Sequence, residues 1–341
     1  MDKIRLGETG LMVTRCAFGA LPVQRVPMAE AVRLLRAAYD GGINYFDTAN
    51  AYTDSEEKIG AALSDVREKI IISTKTMAAD EKTATEHIET SLRRMKTDYI
   101  DILQIHNIPS IKEREGAIKA AFRAKEKGYV RHVGVTAHKH TAATEALDTG
   151  LFETLQFPFS YLADEKETAL VRRCEKEDVG FIAMKAIAGG LLTNARACRA
   201  FFSQYPNAVP IWGIQRMEEL REWLALEADP PALTDELRAV IEADRRTLAG
   251  AFCRGCGYCM PCPEGIDIKN AARMNMLLRR SPWRQYYAPE QRELMERIRN
   301  CRECGLCRSR CPYGLDTPNV LKFMLEDYER FYEQHKGEEE E

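Results

Sequence analysis

A chain of 341 residues, 45% hydrophobic and 30% charged, has the makeup of an ordinary globular protein, long enough for one large domain and a small one. Its formal net charge of −3 gives no reason to expect a nucleic-acid partner. There is no N-terminal apolar signal region and no run of about 18 apolar residues, so neither secretion nor a membrane span is expected, and the expected location is cytoplasmic.

Residues 3–14 alternate around a glycine-containing turn, the pattern of a hairpin, and a short strand follows at 16–18. From there strands and helices take turns. An amphipathic helix over 29–39 stops at Gly41-Gly42, and further helices are predicted at 56–63, 83–95, 111–127, 141–147 and 165–177. Strands fall between them at 43–47, 70–75, 99–106, 130–136, 154–159 and 180–186; 209–214 supplies an eighth, and 217–226 its helix. This rhythm fits an α/β fold of the (β/α)₈ TIM-barrel type, whose usual size is about 250 residues. A doubly wound sheet is the rival, but no Gly-x-Gly-x-x-Gly turn follows the first strand.

The barrel is expected over 1–227, up to the boundary at Ala228-Asp229-Pro230-Pro231. A connecting helix (233–248) fills 228–250, a cysteine-rich domain 251–332, and an acidic tail 333–341, with Glu338–Glu341 expected to be disordered.

Three successive strand ends carry candidate chemistry. Asp47 and, five residues on, Tyr52 follow the first; Lys75 ends the second; His106 ends the third. Singly, each has a bland explanation: a packed ring, a surface ion pair, a capped carbonyl. Jointly they suit carbonyl reduction, in which an alkoxide develops on oxygen and a proton donor must stand beside it. Tyrosine, with an unperturbed pKa of about 10, is a possible acid there, and a nearby ammonium lowers that pKa further.

Eight of the eleven cysteines lie within residues 253–311, while Cys16, Cys174 and Cys198 are scattered. Cys253, Cys256, Cys259 and Cys262 are spaced by two residues each and followed by Pro263. Cys301, Cys304, Cys307 and Cys311-Pro312 form the x₂, x₂, x₃ run of bacterial ferredoxins, so the first run is one residue short before its fourth cysteine. Such spacing without a signal peptide indicates metal ligands rather than disulfides, and two 4Fe-4S clusters rather than the separated knuckles of a zinc site. By analogy with two-cluster ferredoxins, the fourth cysteine of each run serves the other cluster. Cys253, Cys256, Cys259 and Cys311 would then hold one, and Cys301, Cys304, Cys307 and Cys262 the other. Helical patterns at 268–278 and 289–299 favour an α-helical ferredoxin-like arrangement.

Phe46-Asp47-Thr48-Ala49-x-x-Tyr52, Ser55-Glu56, Ile-Ile-Ser-Thr-Lys75 and Asp98-Tyr99-Ile100-Asp101 running to Gln104-Ile105-His106-Asn107 together resemble the aldo-keto reductase superfamily, from Leu6-Gly7-x-x-Gly10 to about residue 227. The cysteine module resembles the C-terminal extension of a subgroup of that superfamily. The resemblance implies Tyr52 as general acid, Lys75 and Asp47 as its tuning pair, and His106 as the group that orients a small carbonyl or alcohol substrate. It implies NADP(H) or NAD(H) across the barrel mouth, with Gln156 on the carboxamide and Thr136 keeping the hydroxyl of a Gly-Val-Ser-Asn pattern whose amide is lost at Ala137. Met184 stands where an aromatic commonly stacks. Gly213, Gln215, Arg216 and Glu222 fall in the phosphate and adenine segment, with Arg216 facing a 2′-phosphate and Trp223 replacing a hydrogen-bonding Asn. The bland reading of 217–226 is an outer barrel helix and nothing more. Hydride and single-electron chemistry do not couple directly. The clusters are therefore structural or regulatory, or a flavin takes the place of nicotinamide and a one-electron donor or acceptor protein is the partner. A redox-sensing binding protein on an inactive barrel is the alternative from a different class. Oligomeric state leaves no signal in the sequence.

Overall fold

The computed structural model describes residues 1–248, 252–280 and 283–337. Strands β1 (Lys3–Arg5) and β2 (Met12–Thr14) pair antiparallel as the expected hairpin. The alternating elements that follow are β3 (Ala17–Gly19), α1 (Met28–Asp40), β4 (Tyr45–Asp47), α2 (Ser55–Leu63), β5 (Ile71–Thr76), α3 (Glu81–Met95), β6 (Ile100–Ile105) and α4 (Glu115–Glu126). They continue as β7 (Val130–Thr136), α5 (His140–Asp148), β8 (Thr154–Pro158), α6 (Glu165–Lys176), β9 (Gly180–Met184), α7 (Ala195–Phe201), β10 (Ala208–Gly213) and α8 (Met217–Ala228). Strands β3 to β10 are all parallel, and β10 pairs back onto β3 to close an eight-stranded barrel.

Local chemistry sets the helix ends. The Asp80 carboxylate accepts the Thr83 N–H at 2.9 Å to start α3. Asp164 and Glu167 form a reciprocal capping box at α6. Helix α7 was absent from the sequence-based expectation; its signal is Asn194, whose side chain accepts the Ala197 N–H at 2.9 Å. The helix expected over 111–127 begins instead as a 3₁₀ turn at Lys112–Arg114.

The hairpin closes the N-terminal end of the barrel. Leu6 and Val13 are fully buried with Ala17, Tyr45, Ile102, Ile182 and Val209. Leu6 packs directly on the β9 backbone, because a Cβ at Gly180 would stand 2.7 Å from Leu6 Cγ. On β6, Asp101 accepts Arg67 Nη2 at 2.6 Å, the Ile72 N–H at 3.0 Å and Arg131 Nη1 at 3.0 Å. The Tyr99 ring lies between the same two guanidiniums, 4.0 and 3.7 Å from their Cζ atoms. The Asp-Tyr-Ile-Asp motif therefore has a structural role: it ties β6 to its neighbours.

The chain divides into two compact units, Met1–Ala186 with Asn194–Ala243, and Ile187–Thr193 with Asp244–Glu341. The division falls within α9 (Asp235–Thr247). The second unit contains α10 (Ile268–Ala271), α11 (Met274–Arg280), α12 (Pro289–Glu296), α13 (Leu306–Arg310) and α14 (Thr317–His335), and no strand among the described residues. Its core is the α14 face of Leu321, Leu325, Tyr328 and Phe331 against Ile268, Ala271 and Met295. Arg279 forks onto Asp327 at 2.6 and 2.9 Å. Helix α14 carries the chain through His335, while Glu338–Glu341, expected to be disordered, lie outside the described residues. Among the described residues no helix is long and apolar enough to cross a membrane.

The Arg67–Asp101 pair is 8% and 1% exposed, whereas Arg36–Asp65 is 36% and 62% exposed. Asp101→Ala strands a buried guanidinium and should cost about 3–5 kcal/mol in urea unfolding followed by circular dichroism. Asp65→Ala should cost less than about 1 kcal/mol. Equal losses would show that burial does not set the value of these pairs.

Candidate functional site

The parallel register brings the strand ends side by side. Asp47 pairs with Ser73, Lys75 with Gln104, Gln104 with Gly134, and Thr136 with Gln156. Lys75 Nζ donates to Asp47 Oδ2 at 2.7 Å and to the Thr48 carbonyl at 2.5 Å. Neither side chain of the pair is more than 3% exposed. Ser73 Oγ donates to Asp47 Oδ1 at 2.6 Å and receives the Tyr45 hydroxyl at 3.0 Å. Gln104 Nε2 reaches Oδ1 at 3.3 Å, and Gln156 Nε2 reaches Oδ2 at 3.5 Å. Burial lowers the Lys75 pKa, and the Asp47 carboxylate opposes that shift.

Tyr52 is half-buried on the turn after β4, with its N–H on the Ala49 carbonyl at 2.9 Å. Lys75 Nζ lies 5.4 Å from the centre of its ring. The His106 ring stands edge-on to Tyr52, 5.9 Å away at 79°. Burial, followed by the charges of Lys75 and Arg114, lowers His106 to a pKa of about 3, so its ring is neutral at physiological pH. All four residues expected at three adjacent strand ends thus share one mouth. Its buried polar atoms are not all satisfied: His106 Nδ1, Gln104 Oε1 and Gln156 Oε1 have no hydrogen-bond partner among the described residues. Acceptors left unpaired in this way suit a ligand carrying an amide or hydroxyl donor.

The residues proposed for a nucleotide are more scattered. Thr136 Oγ1 accepts the Asn107 N–H at 2.7 Å, which leaves its own proton free to donate. Met184 is half-buried at the end of β9, and Gly213 is exposed at the end of β10. Gln215 is half-buried, and its N–H and that of Arg216 are both taken by the Glu219 carboxylate. The Arg216 side chain is 70% exposed and folded back on Glu219 at 2.9 Å. Glu222 is exposed on α8. Trp223 is 5% exposed and stacks on Trp212 at 3.8 Å and 10°, so it packs the helix onto the barrel rather than facing an adenine.

Ser73 and Gln104 were missed as site residues, although each stands two residues before a chosen one. Successive side chains on a strand alternate, so i and i+2 share a face and both point to the barrel axis. A second mouth contact, His138 Nδ1 to Asn107 Oδ1 at 3.1 Å, was also missed.

In the second unit the cysteines surround two cavities. Cys262, Cys301, Cys304 and Cys307 line the larger, of about 140 Å³. Cys253, Cys256 and Cys311 line the smaller, and Cys259 borders both. Burial, with Cys253 and Cys256 close by, pushes the Cys259 thiol up to about 12. Thiolates this near one another require a cationic core between them, as an iron cluster provides. Among the described residues no three His, Cys, Asp or Glu side chains converge tightly enough for a single ion.

Residues 16–204, more than half of the chain, match the Aldo/keto reductase family, and residues 252–316 match the 4Fe-4S dicluster domain. The chain belongs to the aldo-keto reductase family and is an oxidoreductase of that type with a C-terminal iron–sulfur domain. It is 33% identical over 219 residues to L-galactose dehydrogenase of Arabidopsis thaliana, covering 57% of this chain and 69% of that one. It is 28% identical over 241 residues to an aldo-keto reductase of Alternaria alternata, covering 56% of this chain and 66% of that protein's length. The structure of a Klebsiella pneumoniae aldo/keto reductase in complex with NADP and acetate superposes with a TM-score of 0.62 at 20% identity, over 71% of this chain and 94% of that one, a likeness of fold alone.

The His106 shift has a stability consequence. Its folded pKa of about 3 lies below the unfolded value near 6.5, so the folded state binds fewer protons. Stability is then fully present above about pH 6.5 and lost as pH falls toward 3. His106→Asn should show a smaller drop in melting temperature between pH 7 and pH 5 than wild type, measured by calorimetry. An equal drop would mean that His106 titrates normally.

Proposed function

We propose that this protein interconverts a small-molecule carbonyl and its alcohol at the barrel mouth, with NADP(H) as the hydride carrier and Tyr52 as the general acid. The observation that carries this reading is the buried Lys75–Asp47 pair beside Tyr52 and a neutral His106. The nicotinamide, when bound, supplies or takes the hydride. The remaining roles belong to the chain. The Tyr52 hydroxyl gives its proton to the carbonyl oxygen as charge develops there. The Lys75 ammonium makes that transfer easier by favouring the phenolate. Asp47 holds the ammonium ionised against the burial that would discharge it. His106 donates a hydrogen bond to the same oxygen and fixes its angle.

Gln156 Oε1, buried and unpartnered, is suited to accept a carboxamide N–H, and Thr136 can donate its hydroxyl to the same group. Met184 offers a thioether face to the ring. Arg216, at the edge of Gly213–Gln215, is the cation for a 2′-phosphate, with Glu222 further along α8 on the adenosine side. In the second unit Cys253, Cys256, Cys259 and Cys311 hold one four-iron cluster and Cys262, Cys301, Cys304 and Cys307 another. With nicotinamide at the mouth, such clusters would take no part in hydride transfer and would serve a structural or regulatory, one-electron role.

Tyr52→Phe should lower kcat by about 10²–10⁴-fold and leave the NADPH dissociation constant nearly unchanged, as read by steady-state kinetics and calorimetry. A loss confined to KM would remove Tyr52 from the acid role. Arg216→Ala should weaken NADPH by about tenfold to a hundredfold and leave NADH unaffected. Protein purified without air should contain roughly eight irons, with a visible band that dithionite bleaches. Stoichiometric zinc, or a retained flavin with no nicotinamide binding, would overturn the cofactor assignment.

A further inference from the structure

In the second unit the Arg273 guanidinium stands between the first cysteine run and the segment Ile187–Thr193. Arg273, in the turn between α10 and α11, donates from Nη1 to the Gly189 carbonyl at 2.7 Å and from Nη2 to Asn270 Oδ1 at 3.4 Å. Its head lies against Gly255, where a Cβ would be 2.7 Å from Nη1 and 3.0 Å from Cζ. Gly255 falls between Cys253 and Cys256, has a φ of +63°, and directs its N–H at Cys253 Sγ, 3.4 Å away. The left-handed backbone favours glycine at 255, and the Arg273 head occupies the space that a side chain there would take.

The same cation grips the segment from its other side. Gly189 has a φ of +70°, and a Cβ there would stand 3.1 Å from both Arg273 Nη1 and the Arg254 carbonyl oxygen. Ala188, Leu191 and Leu192 are buried, so the segment is fixed by packing as well as by this hydrogen bond. In the chain it is the connection from β9 to α7, and it begins three residues after Met184. Loops that leave the C-terminal ends of barrel strands are those that form barrel active sites.

We propose that Arg273 sets the reduction potential of the cluster held by Cys253, Cys256, Cys259 and Cys311, and ties that cluster's charge state to the segment Ile187–Thr193. The inference rests on the two-cluster reading above. Reduction transfers one electron from a low-potential donor, such as dithionite, which is oxidised, and makes the cluster one unit more negative. A cation beside the ligands stabilises the reduced form and raises the potential, a recognised means by which surrounding charge tunes such clusters. The added charge also draws the guanidinium away from the Gly189 carbonyl, so reduction loosens the segment. By reciprocity, whatever immobilises the segment opposes reduction.

The test uses the full cluster-loaded chain, prepared without air, as wild type, Arg273→Gln and Arg273→Lys. Potentials are read by redox titration with electron paramagnetic resonance, and mobility by hydrogen exchange of residues 187–193 in oxidised and dithionite-reduced protein. Arg273→Gln should move one of two cluster potentials to a more negative value and leave the other in place, while Arg273→Lys retains most of the wild-type value. Exchange in the segment should quicken on reduction of wild type and be the same in both states of Arg273→Gln. Two unmoved potentials, or a wild-type segment whose exchange ignores reduction, would overturn the proposal. If the Gln variant loads no iron, the Lys variant and the wild-type exchange data still decide it. Wild-type protein with no iron, or with four irons per chain, would instead overturn the two-cluster reading beneath it.

Discussion

The polar mouth of the barrel is organised around one buried ion pair. Lys75 and Asp47 are both removed from water, and desolvation of two such charges costs several kcal/mol each before any attraction is counted. The pair persists because the barrel surrounds it with fixed dipoles: the Thr48 carbonyl on the ammonium, and Ser73, Gln104 and Gln156 on the carboxylate. Those groups come from β5, β6, β8 and the loop after β4. Only a closed parallel sheet with this register puts them within reach of one another. Loss of either charge would leave the other unpaired in a place that cannot hydrate it.

The same constraint explains the state of the neighbouring groups. Burial in the dry mouth, reinforced by the charge of Lys75, holds His106 neutral, able to donate or accept but not to compete with Lys75. The amides of Gln104 and Gln156 spend their N–H groups on Asp47, which turns their oxygens toward an empty polar requirement. The mouth thereby carries oriented charges and dipoles of its own. The second unit answers the opposite problem. Burial and neighbouring sulfurs push its Cys259 thiol up to about 12, so ionising these cysteines as ligands would call for a cationic group among them.

Most of this was legible in the chain because period and punctuation are local. The strands from Ile43 to Ile214 are short apolar runs bounded by Gly and polar turns, and the catalytic candidates sit where those runs end. The expected cysteine grouping came from spacing together with the analogy to two-cluster ferredoxins. Three things were not legible. Helix α7 is too short for a clear period and is announced only by Asn194. Ser73 and Gln104 read as ordinary strand residues until closure of the barrel directs their face at Asp47. Trp223 took on a meaning borrowed from the position it occupies, whereas its partner Trp212, eleven residues away, decides where its ring goes. Contacts of that kind depend on tertiary packing, which overrides any local signal.

In the proposed reaction the Lys75–Asp47 pair prepares a nicotinamide-dependent carbonyl site at Tyr52. It is tested most directly by a crystal structure of the anaerobically prepared protein with NADPH. The expected result is the carboxamide on Gln156 Oε1, the ring against Met184, and the hydride-bearing carbon facing the gap between Tyr52 and His106. A flavin in the mouth, or a nucleotide bound with its nicotinamide away from Tyr52, would contradict it.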